Sequence, residues 1–73
     1  QTRDVSRRPK WVSESEWCAW LVEEVRLRHG YSLTYVAWSA GVDRSALSHL
    51  LAGRPHLGPR GRERLRRWCM RLL

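Results

Sequence analysis

Four stretches of this 73-residue chain space their apolar residues three and four apart, and short polar residues, glycines and prolines fall between them. That spacing is the mark of helices with one buried face. In the first stretch Trp17, Trp20, Leu21 and Val25 share a face, with Glu14, Glu23 and Glu24 off it. Ser13 and Glu16 form a capping box, and Val12 outside the cap can pack on Trp17 one turn in. The spacing predicts a helix from there to about Arg28, stopped at Gly30, with Arg26 and Arg28 in the last turn where cations favour the helix dipole. Leu33, Val36, Ala37 and Ala40 form a second stripe, capped by Ser32 and stopped by Gly41. Asp43 caps a third helix with Leu47, Leu50 and Leu51 directed to the core, and Gly53 ends it. Pro59 opens a last helix carrying Leu65, Trp68, Cys69 and Leu72 on one face. Gly61 costs this helix about 1 kcal/mol relative to Ala and loosens its first turn. No run alternates in the manner of a strand.

The expected fold is therefore all-α, a compact bundle of four to five short helices. Residues 32 to 53 are its centre, because two short helical patterns meet there across a glycine in the outline of a helix-turn-helix. Residues 1 to 11 lack apolar periodicity and read as a flexible basic arm, which leaves residues 12 to 73 as one domain. Arg54-Pro55-His56-Leu57-Gly58 reads as a loop. The chain begins with Gln1, which fits a processed chain or one domain of a longer protein.

Charge gives this pattern a direction. The formal net charge is +7, and it is unevenly placed. Residues 1 to 12 hold Arg3, Arg7, Arg8 and Lys10 against Asp4, whereas residues 13 to 43 are acidic on balance. Residues 44 to 73 hold eight arginines against Glu63 alone. Basic ends around an acidic first helix point to a polyanionic partner. Arginine suits bidentate contact with phosphate and guanine, although arginine-rich usage also follows from a GC-rich genome.

The run Ser32-Leu33, Val36-Ala37, Ala40-Gly41-Val42-Asp43, Ser45, Leu47-Ser48, followed by Leu50 and Gly53, resembles the lambda-repressor-like (XRE, Cro-type) helix-turn-helix proteins. The resemblance extends from Trp17 to about Leu72. It implies a recognition helix in the major groove of double-stranded DNA, and transcription regulation as a bacterial or phage repressor or the DNA-binding domain of one. Carried over by position, Arg44, Ser45, Ser48 and His49 match base-reading residues, and Ser32 and Thr34 match phosphate contacts. Many members carry Gln where this chain has Leu33 and Ser45, so their operator contacts do not transfer. The residues themselves support the same division. Arg44 follows the Asp43 cap, where a cation opposes the positive helix end and an anionic partner would reverse the penalty. Ser and Thr hydroxyls at a helix start hold phosphate without reading sequence. Arg54, Arg60 and Arg62 follow closely enough to reach flanking phosphates, and Arg3, Arg7, Arg8 and Lys10 form a candidate DNA-touching arm. Arg64, Arg66, Arg67 and Arg71 read more simply as the solvated face of the last helix.

Other chemistry is poorly supported. The two cysteines, Cys18 and Cys69, make neither a disulfide framework nor a metal spacing with His29, His49 or His56, and they read as buried thiols. No paired carboxylates, nucleophile with base, or metal cluster suggests an enzyme, and no cofactor is implied. No apolar run is long enough to span a membrane or to form a leader, so the expected setting is the cytoplasm, at the nucleoid or in a phage-infected host. Trp17, Trp20 and Trp68 lie on core stripes, whereas Trp38 and Trp11 do not. Trp38 or the apolar C-terminus supplies the rival reading, an antitoxin-like or adaptor module that binds a partner protein. A homodimer or a further domain would complete either reading. An Arg/Trp-rich membrane-surface peptide fits the composition, but caps and glycine stops specify packed helices.

Overall fold

The computed structural model describes residues 12 to 54 and 57 to 73, and all regular structure among them is helical. The four elements are α1 (Glu14–His29), α2 (Leu33–Ala40), α3 (Arg44–Leu51) and α4 (Pro59–Leu72). The bundle is the all-α one that the spacing predicts. The basic arm, with Arg3, Arg7, Arg8, Lys10 and Trp11, and the loop residues Pro55 and His56 lie outside the described residues.

Each helix starts where its local chemistry supplies a partner for the orphan amides of a first turn. Ser13 Oγ accepts from Glu16 N at 3.2 Å and donates to the Glu16 carboxylate. Ser32 Oγ accepts from Tyr35 N at 3.1 Å, and Asp43 Oδ2 from Ala46 N at 2.9 Å. Helix α4 has no side-chain cap and instead begins with Pro59, whose missing N–H would be unpaired there in any case. Gly41 ends α2 at φ 76°, a left-handed conformation that a side chain resists. Its N–H bonds back to Ala37 O at 3.0 Å, as does that of Val42. The three residues Gly41-Val42-Asp43 therefore turn the chain directly from α2 into α3.

The two long helices, α1 and α4, pack most extensively on each other, and α2 and α3 close the other side. Leu21, Val22 and Val25 of α1 meet Val36, Leu47, Leu65 and Cys69 in one fully enclosed core cluster. The buried face of α1 is rotated from the expected one. Val22 is inside beside Cys18, which is a buried thiol as expected, whereas Trp20 is only half-buried and stacks on Trp17 with ring centroids 5.1 Å apart. Leu51 and Leu72, expected in the core, are half-buried and pack against its edge. Gly61 also differs from expectation, because α4 runs unbroken through it. A Cβ there would lie 3.0 Å from Leu57 Cδ2, so the glycine admits Leu57, which is buried. The intrinsic cost of about 1 kcal/mol for Gly is thereby offset by packing an apolar side chain from the loop.

Candidate nucleic-acid interface

The site is built from the outer side of α3 upward. Leu47 and Leu50 are buried, which fixes the rotation of the helix and turns Arg44, Ser45 and Ser48 to solvent. Arg44 and Ser48 are one turn apart and Ser45 lies beside them, so the three occupy one continuous polar face. Asp43 occupies the N-terminal end through its bond to Ala46 N, so Arg44 projects beside a capped helix start. No ion pair or side-chain hydrogen bond engages Arg44 or Arg60 among the described residues.

His49, expected to read bases, is half-buried and tied to Arg54, expected to bind phosphate. Arg54 N bonds to His49 O at 2.8 Å, and Arg54 Nη1 lies 3.3 Å from His49 Nδ1. A guanidinium can only donate, so Nδ1 is the acceptor and a neutral ring carries its hydrogen on Nε2. The two residues thus form one unit at the C-terminal end of α3. Ser32 and Thr34 are exposed at the start of α2, although the Ser32 hydroxyl is already taken by its cap bond. Arg60 is exposed in the first turn of α4.

Arg62 is placed differently. Its Nη1 donates to Leu57 O at 2.9 Å and its Nη2 stands 3.5 Å from Glu14, so it fastens the loop and the start of α1 to α4. It does not join the polar face of α3. Arg64, Arg66 and Arg67 are engaged within the fold as well, whereas Arg71 is exposed in the last turn of α4. Arg66 and Arg67 both bind Glu63, at 2.7 and 2.8 Å, and these bonds hold the Glu63 carboxyl below its ordinary pKa. Arg64 Nη1 donates to Gly41 O at 3.2 Å and so braces the α2–α3 turn. That brace was not legible in the sequence, and neither was the bond from Trp68 Nε1 to Ser39 Oγ at 2.9 Å, which ties α4 to α2.

The cysteines lie away from this face. Burial raises both thiols, Cys69 to about 12, and Cys18 Sγ donates weakly to Arg62 O at 3.7 Å. No group of three or more His, Cys, Asp or Glu among the described residues is arranged to hold a metal ion, and no helix is long and apolar enough to cross a membrane. No protein-family model, curated protein or solved structure matches the chain.

Proposed function

We propose that the chain binds double-stranded DNA sequence-specifically, with α3 in the major groove, as a bacterial or phage transcriptional repressor or the DNA-binding domain of one. The observation that carries this reading is the outer face of α3, where Arg44, Ser45 and Ser48 all meet solvent on a helix held from behind by Leu47 and Leu50. Arg44 offers paired donors that match guanine O6 and N7, a contact worth about 1–3 kcal/mol of discrimination. Ser45 and Ser48 can each donate to or accept from a base edge. His49, paired with Arg54, stands at the far end of the same helix.

Phosphate contacts come from Thr34, the amides at the start of α2, Arg54 and Arg60, with Ser32 accepting its cap bond and keeping its own hydroxyl hydrogen to donate. Arg62 contributes charge rather than a direct contact, because its Nη1 and Nη2 face Leu57 and Glu14 and its Nε is buried. Only the cations release counterions, so Arg54 and Arg60 alone give a log K versus log salt slope of roughly −2, and engagement of Arg3, Arg7, Arg8 and Lys10 as well takes it to roughly −5. The module acts by binding and not by catalysis, in the cytoplasm of a bacterial cell. Selection from random-sequence duplexes tests the reading: an enriched motif supports it, and recovery of an unbiased pool removes sequence specificity.

A further inference from the structure

We propose that the outer face of α2 and the last turns of α1 form a self-complementary surface on which a second copy of this chain docks about a two-fold axis. Leu27 and Trp38 are the most exposed large apolar side chains of the described residues, at 80% and 78%, and Tyr35 follows at 41%. They are contiguous. The Tyr31 and Tyr35 rings lie 4.6 Å apart and those of Tyr35 and Trp38 6.2 Å apart. Tyr31 and Leu27 in turn line one depression of about 360 Å³, bordered by Glu23 and Arg26. The surface is thus a single apolar strip with a hollow at the Leu27 end and a projecting indole at the other. Contiguous exposed apolar patches mark interaction sites, whereas scattered apolar residues do not.

The arrangement selects a second copy as the occupant. A strip that carries both a knob and its hollow is satisfied when a copy is turned end for end, so that each Trp38 enters the hollow of the other. Such a contact uses the same patch twice and closes at two chains. Charge agrees with it. Helix α2 carries no charged residue, Arg64 stands at its C-terminal end through the bond to Gly41 O, and Glu23 stands at the hollow. End-for-end pairing sets each Arg64 toward the other copy's Glu23. The existing partner of Glu23 is Arg26 at 3.9 Å, a loose surface pair that leaves the carboxylate able to take a second cation. Four side chains fall short of the roughly 800 Å² per partner of a standard interface, which places the contact among small, transient interfaces. Thr34, one turn before Trp38 on α2, borders the same strip, so the docking is tested in the absence of DNA.

Sedimentation velocity on the full chain without DNA, from low micromolar to millimolar concentration, tests it. The expected result is a concentration-dependent rise to twice the monomer mass. Trp38→Ala raises the dimer Kd roughly 30-fold, with circular dichroism unchanged because the side chain is exposed. E23R and R64E each weaken the dimer when studied alone, because like charges then face each other at both ends. Mixing the two variants restores it, because each mixed pair sets Glu against Arg twice. Monomer mass across the whole range overturns the proposal, as does a dimer indifferent to Trp38→Ala. A mixture no more dimeric than its components assigns any dimer to another face and also overturns it. Monomeric chain that binds an added oligonucleotide through Trp38 overturns it in favour of a nucleic-acid surface.

Discussion

The two halves of the bundle use the same residue type in opposite ways. In the α1–α4 half, three arginines are fasteners: Arg62 joins Glu14 to the Leu57 carbonyl, and Arg66 and Arg67 converge on Glu63. In the α2–α3 half, Arg44 projects from a face of serines and has no internal partner among the described residues. The contrast separates net charge from available charge. A chain of +7 offers a ligand only those cations that its own carboxylates and carbonyls leave accessible; among the described residues these include Arg44 on α3, Arg60 at the start of α4 and Arg71 at its far end.

The largest test of the contrast asks whether the halves are separable. Leu47 in α3 and Leu21 in α1 share one enclosed core. Truncation of either to Ala costs about 2–5 kcal/mol, against the roughly 3–5 kcal/mol that a core of this size supplies. Both variants are therefore expected to be largely unfolded by circular dichroism, each in a single transition. A Leu47→Ala protein that melts α2 and α3 while α1 and α4 stay helical would divide the bundle into two units.

Arg44→Ala and Arg54→Ala sharpen the contrast on the DNA side. Loss of Arg44 is expected to cost about 1–3 kcal/mol on the preferred duplex and to relax selectivity at one base position, read by competition titration. Loss of Arg54 is expected to weaken all duplexes alike and to reduce the salt slope by about 1. Arg66→Ala, by contrast, leaves both the motif and the slope nearly unchanged, because that guanidinium is committed to Glu63. An Arg66→Ala defect as large as that of Arg44→Ala would erase the distinction between fastening and presented arginines.

Two smaller effects concern stability. Asp43→Ala removes the acceptor for Ala46 N and is expected to cost about 1 kcal/mol in urea unfolding, while Asp43→Ser retains most of it. The Cys69 thiol, ordinarily near 9.0, is raised by burial to about 12. Its folded pKa exceeds the unfolded one, so its contribution is fully present below pH 9.0 and is lost as pH rises toward about 12. The melting temperature is expected to fall over that alkaline window, less steeply in Cys69→Ala.

Much of the fold was legible because its signals are local. Ser13, Ser32 and Asp43 cap within three residues, Pro59 starts α4, and Gly30 and Gly41 end the helices before them. The rotation of α1 was less legible, since Trp17, Trp20, Cys18 and Val22 all fit an apolar stripe and only packing against α4 selects which go inside. Contacts between distant residues were not legible at all. Leu57 reaches its place because Gly61 lacks a side chain, Trp68 finds Ser39, and Arg64 finds the Gly41 carbonyl. For the candidate site, the exposure of Arg44, Ser45 and Ser48 followed from the leucines that oppose them. The engagement of Arg62 and the pairing of His49 with Arg54 depended on how the chain enters and leaves its loop.

The central claim is that α3 presents an arginine-led face that reads duplex sequence. Selection from random duplexes with the parent chain and with Arg44→Ala, run side by side, tests it most directly. The account predicts a defined motif for the parent and loss of preference at one position within it for the variant. An unbiased pool from the parent, or the same motif from both proteins, would contradict it.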